Sequence, residues 1–439
     1  MQFESETWTM VLMSSALTTC RRWILAIVAM LTFQVTLGVA GIAHATDTVI
    51  YTFALANNVC SNLDGAAPKG SLTFANGFLF GSTSSTSGKG NGLGIIFHID
   101  PAGSNYSIDH QFTGAPGDGR DPESNAMTLG GTALYGTTLN GGLNDNGTIF
   151  SINDDGTGYA SLFSFQKSVL KNKGDQPFST FALSSGILFG MTSQGGSVNG
   201  PVGDGTIFSF DPQTAAYTRL HSFGGPDGSD PHGQQILDPN GIAFYGMTQT
   251  GGVHNVGVIY SFSEICSPLN SKCVKTFKVL HNFACPHGLT PACVDPVDGA
   301  SPDHGTLVQL RNTLFGLTTT GGKFGMGTIF SLGLKGAKKF TVLHSFGASP
   351  IDGLTPLGSL MLNGSTLYGT TSAGGSAGFG TVFQINTDGT NYVRLHDFQS
   401  GNDGANPADN VILVNNALFG MTEAGGRCNH GVIFSVALP

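Results

Sequence analysis

Seven copies of one unit run through this chain, and a chain built that way has two folds open to it, a closed ring or an open solenoid. The clearest column is the glycine after an L-[FY] or F-Y pair: Gly81, Gly136, Gly190, Gly246, Gly316, Gly369 and Gly420. Successive spacings are 55, 54, 56, 70, 53 and 51 residues, so one interval carries an insertion, placed at about 264–298. A second column, G-[TVI]-[IV]-[FY], starts at Gly94, Gly147, Gly205, Gly257, Gly327, Gly380 and Gly431. A third ends at Phe53, Phe112, Phe165, Phe223, Phe283, Phe346 and Phe398.

Each unit reads as four short strands. In the sixth, Gly358 to Leu362 precedes the hairpin dipeptide Asn363-Gly364, and Ser365 to Thr371 follows. Gly374-Gly375 breaks the chain, Thr381 to Ile385 alternates apolar and polar, and Asp388-Gly389 turns into Tyr392 to Phe398. Equivalent turns recur at Asn76-Gly77, Asp155-Gly156 and Asn240-Gly241. Tight turns make neighbours antiparallel, so the four strands form one small sheet. The last unit stops after its third strand, while Asp47 to Phe53 matches only a fourth. A ring alone brings those two pieces together. The expected fold is therefore all-β: a seven-bladed β-propeller of four-stranded blades, with an N-terminal strand completing the last one. Composition agrees, since 65 Gly and only 11 % charged residues would undermine a helical fold.

Residues 1–45 read as an export signal: Arg21 and Arg22, an apolar run from Trp23, and Ala43-His44-Ala45 as a cleavage site. An uncleaved anchor is the competing reading, weakened by Thr32, Gln34, Thr36 and Gly38 within the run. Twin-arginine export fits poorly, because Cys20 and Trp23 flank the arginine pair. Residues 46–439 form a single domain in this reading, secreted or periplasmic. Six cysteines remain there, an even number that favours disulfides in an oxidising compartment. Alternation of strand direction pairs Cys266 with Cys273, Cys285 with Cys293, and Cys60 with Cys428, the last across the ring closure. A net charge of -9 without long acidic runs provides no footprint for nucleic acid or an anionic membrane.

Segments such as Leu367 to Phe398, with DGxxP beside them, resemble the GloVer tandem repeat, and the period and glycine pairs resemble kelch-type blades. The usual kelch tryptophan is absent, both Trp8 and Trp23 lying in the leader. The GloVer resemblance covers residues 48–439 and implies an exported bacterial repeat protein with a choice of C-terminal anchor. After Phe434 there is no hydrophobic tail or sorting motif, which implies release.

Repetition also sorts the polar residues. D-G-x-x-P supplies Asp64, Asp118, Asp227, Asp298, Asp352 and Asp403, with Lys173 in the seventh slot. Such residues close turns, set glycine at positive φ and stiffen the chain with proline, rather than converge on an ion. His110, His221, His281, His344 and His396 share one column of the fourth strand and are read as hydrogen-bonded packing residues, as are Thr148, Thr206, Thr328 and Thr381. The glycine pairs precede no helix, so no dinucleotide loop is formed, and no cofactor is expected.

Function belongs where symmetry breaks. The candidate ligand-face residues are Asp118, Asp121, Glu123, His254, Glu423, Arg427 and His430, all on connections at one face of the ring. A monomeric binding or scaffold module for a protein or polymer ligand is the primary reading. A carbohydrate-active hydrolase or lyase, with its site at the channel mouth, is the alternative. The lack of Trp weakens sugar binding in either, although Tyr can substitute.

Overall fold

The computed structural model describes residues 47–53, 64–85, 93–114, 116–122, 126–166, 174–196, 203–266, 273–284, 298–336 and 339–438. The leader, Cys60, Glu123, Lys173, Cys285 and Cys293 lie outside them, as do the side chains of Cys266 and Cys273.

Seven four-stranded antiparallel sheets form the ring of a seven-bladed β-propeller. The innermost strands, Thr73–Ala75, Thr128–Gly130, Ala182–Ser184, Ile236–Leu237, Val308–Leu310, Met361–Asn363 and Ile412–Val414, surround the axis. In six blades the strands follow chain order from the inside out. In the seventh, Asp47–Thr52 takes the outer place beside Val432–Ala437, in register from Asp47 opposite Val436 to Thr52 opposite Val432. The expected closure is present.

Two sequence columns turn out to be one structural unit. Each glycine after L-[FY] faces the aromatic residue of the next strand across the ladder, as Gly369 faces Phe383. A Cβ on Gly369 would lie 2.6 Å from the Phe383 ring, so the bare backbone makes room for that ring. The threonine columns also combine: Thr371 and Thr381 share a hydrogen bond of 2.9 Å, as Thr138 and Thr148 do at 2.8 Å.

The core is a set of layers between blades. One cluster joins Phe346 and Phe315 of blade five to Phe383 and Leu367 of blade six. Another joins Phe53 and Ile433 of blade seven to Phe97 and Leu72 of blade one, so the closure is packed like every other seam. The insertion lengthens the outer hairpin of blade four, Val258–Cys266 and Cys273–Asn282, where Cys266 and Cys273 are register partners.

Candidate functional site

The repeated His and Asp columns meet and form latches between blades. In blade five, His344 Nε2 lies 3.3 Å from Asp352, whose carboxylate accepts bonds from the Gly347 and Ala348 amides and from the Tyr392 hydroxyl of blade six. The imidazole stacks on Tyr392 at 3.8 Å. Asp118 is built into the same latch at the seam between blades one and two: it accepts from Thr113 N and Tyr159 Oη, and His110 stacks on Tyr159 at 3.4 Å. His221 with Asp227 and His281 with Asp298 repeat the pair at 2.8 and 2.9 Å, stacked on Phe277 and Phe340. Burial raises the Asp118, Asp227 and Asp352 pKa values, but the hydrogen bonds and the facing imidazoles outweigh it and hold all three below the usual carboxylate range.

The DGxxP glycine has positive φ at Gly65, Gly174, Gly228, Gly299 and Gly404, as expected, but not at Gly119 or Gly353. There the requirement is space: a Cβ on Gly353 would lie 2.6 Å from Thr371. The motif proline packs on the preceding blade; a Cβ on Gly431 would meet Pro68 at 2.8 Å, across the closure.

Most sequence-derived candidates serve their own connections. Asp121, at φ 56°, accepts from Arg120 Nη1 and Asn140 Nδ2, and Arg120 forks onto Asp145 with two bonds of 2.9 Å. His254 is exposed in its turn. The Glu423 amide donates to the Asn406 carbonyl, the His430 carbonyl accepts from Ala67 N, and Arg427 is exposed. Cys428 is disulfide-bonded, and its expected partner Cys60 lies outside the described residues. Three separate connections carry these residues.

A tighter constellation lies on the segments that lead from the DGxxP prolines to the innermost strands of blades three, four and five. His232 sits between two carboxylates, Nε2 at 2.9 Å from Asp230 and Nδ1 at 2.8 Å from Asp303. His304 Nε2 lies 3.4 Å from Asp303, and Phe178 stacks on His232 at 4.4 Å and on His304 at 5.5 Å. The His232 side chain is only 12 % exposed, while that of His304 is 34 % exposed. Burial lowers the His232 pKa, but the bonds to Asp230 and Asp303 outweigh it and push it up to about 9.

Sequence reasoning missed this group. Aligning the residue after each motif proline gives Lys69, Glu123, Phe178, His232, Asp303, Leu357 and Ala408, a column in which nothing repeats. His232 and His304 also fall outside the fourth-strand histidine column. The inner strands of blades four to seven line an open, largely apolar groove of about 620 Å³, with Leu237, Val308, Met361 and Ile412 in its wall.

Among solved structures, TolB from Acinetobacter baumannii is similar at 15 % identity and a TM-score of 0.41, covering 69 % of this chain and 59 % of its own. The periplasmic gluconolactonase PpgL of Pseudomonas aeruginosa is similar at 13 % identity and 0.45, covering 84 % and 88 %. A puromycin-hydrolyzing peptidase of Mycobacterium tuberculosis gives 12 % and 0.49, covering 84 % and 52 %. The chain thus spans little more than half of TolB and of the peptidase, and identities this low carry no information on activity. Comparison with curated protein sequences finds no match. The model of the Gloeobacter/Verrucomicrobia repeat matches residues 33–202 and 292–439, which is most of the chain, so this protein belongs to the Gloeobacter/Verrucomicrobia repeat family.

Proposed function

We propose that the chain is an exported binding module that takes its ligand at the mouth of the central channel, on the face where the segments before the innermost strands emerge. The carrying observation is the Phe178, His232, Asp303 and His304 constellation, a polar cluster with an aromatic wall built from departures from the repeat. The His–Asp pairs of the fourth strands, by contrast, are consumed in holding blades together. An apolar groove along the inner strands and a polar cluster on the segments that lead into them suit a ligand with both characters, such as a peptide or a polymer with hydroxyl groups. The leader and the family support export to the periplasm or the medium.

The test is an array of bacterial surface polysaccharides and of peptides probed with the full chain, with calorimetry on each hit. Phe178→Ala and His304→Ala should each weaken binding at least roughly tenfold, as loss of a well-packed contact does. Binding that ignores both changes and depends on Arg427 or His254 would move the site to the outer loops.

A further inference from the structure

The mouth constellation has the donor set and spacing of a transition-metal centre. We propose that His232 Nδ1, the Asp303 carboxylate and His304 Nε2 bind one zinc-class divalent cation, with a coordination position left open to the channel mouth. This rests on the mouth being the ligand site and names what that site uses.

Geometry carries the proposal. Three ligand atoms, one from each residue, lie within 4.8 Å of one another. Asp303 Oδ1 is 2.8 Å from His232 Nδ1 and 3.4 Å from His304 Nε2. Around a tetrahedral zinc with bonds of about 2.0–2.2 Å, neighbouring ligand atoms stand roughly 3.3–3.5 Å apart, so a shift of a few tenths of an ångström brings the group onto one ion. Two imidazoles and a carboxylate also suit zinc better than calcium or magnesium, which take oxygen ligands.

The surroundings are those of a metal ligand set. His232 Nε2 is committed to Asp230 at 2.9 Å, which fixes the ring and directs Nδ1 at Asp303. Phe178 stacks on the His232 ring and holds its plane. The 34 % exposure of His304 leaves one side of the group accessible, as a site with an open position requires. Nor do these residues build the blade: corresponding positions hold Lys69, Leu357 and Ala408 in other units, and the ring closes without a histidine there.

Among the described residues, the other polar trio of this kind, Asp47, His396 and Asp403, carries less. There His396 and Asp403 belong to the repeated latch, and Asp47 stands in the slot that Tyr392 or Tyr159 fills in other blades.

The experiment is a calorimetric titration of the full chain, stripped with EDTA, with zinc sulfate. One equivalent should bind with a micromolar or tighter dissociation constant. Asp303→Asn and His304→Ala should each weaken binding at least roughly tenfold, and Asp230→Asn, which removes no ligand, roughly 10- to 100-fold. His254→Ala, on an exposed turn, should leave it unchanged. Cobalt substitution should produce the visible absorption of a four-coordinate site, which His304→Ala abolishes. Far-ultraviolet circular dichroism of each variant separates loss of metal from loss of fold; because His304 is partly exposed, its variant tests the site even where Asp303→Asn misfolds. No saturable zinc binding, or binding that survives His304→Ala, overturns the proposal. Repeating the ligand array in EDTA distinguishes the two readings: ligand binding that persists without zinc response leaves the mouth as a metal-free site, whereas zinc binding without any ligand leaves the metal centre and removes the binding module.

Discussion

Asp409 shows how much a single residue's surroundings outweigh its type. It follows the last motif proline by two positions and is buried at the inner edge of blade seven, where burial raises its pKa to about 7 against the opposing bond from Asn410 N. The unfolded chain titrates it at about 4. Because the folded pKa is the higher one, its stabilising contribution is complete below about pH 4 and is lost as pH rises through 7. That difference corresponds to on the order of 4 kcal/mol. Asp409→Asn keeps an acceptor for Asn410 N and removes the ionisation. The variant should therefore match the parent in urea denaturation near pH 4.5 and exceed it by a few kcal/mol at pH 8.5. A parent as stable as the variant at pH 8.5 would show that the carboxyl ionises in place without penalty. Sequence alone gave no sign of this residue, since an aspartate two positions after proline looks like any polar loop residue.

At the scale of the element, the latch accounts for the exceptions in the histidine column of the fourth strand and the motif aspartate column that follows it. The blade with Phe163 in place of the histidine is the one whose motif begins with Lys173, and in blade seven Tyr51 takes the histidine's place and donates to Asp64. Both columns were legible as repeats, and their reading as blade-building residues agrees with the contacts. Their partnership was not legible, because it runs between the fourth strand of one blade and an aromatic residue of the next. Asp352→Ala should test the latch: it strands the Gly347 and Ala348 amides and the Tyr392 hydroxyl, at a cost of about 3 kcal/mol at pH 7. Since the folded pKa of Asp352 is depressed, its contribution exists above the ordinary carboxylate range and disappears as pH falls through the folded value. The difference between parent and variant in guanidinium unfolding should thus shrink below about pH 4. A constant difference down to pH 2 would mean that packing, and not the charge, holds the seam.

For the whole molecule, closure is the cooperative step. Phe53 is fully buried in the seam between blades seven and one, and Asp47–Thr52 covers an edge that would otherwise be free to pair with another chain. Deleting residues 47–53 should cause aggregation and a loss of cooperative unfolding, read by light scattering and by the breadth of the thermal transition. An unchanged transition would mean that the strand is dispensable. We further expect that Cys428, which is disulfide-bonded, pairs with Cys60 and locks the same seam covalently. Cys60→Ser and Cys428→Ser should each cost about 2–4 kcal/mol, and the double change no more than one of them. Additive losses in thermal melts would assign Cys428 a different partner.

The repeat by itself determined the blade, its four strands, their number and the closure, because turn dipeptides, glycine columns and alternating patterns act within about fifty residues and recur seven times. Tertiary structure alone decided which unrepeated side chains meet. Phe178, His232 and Asp303 stand 54 and 71 residues apart and become neighbours only because the innermost strands of successive blades crowd around the axis. An alignment of repeats makes what recurs visible, whereas this group is assembled from what does not recur, and its proximity comes from the curvature of the closed ring rather than from any local preference of the chain.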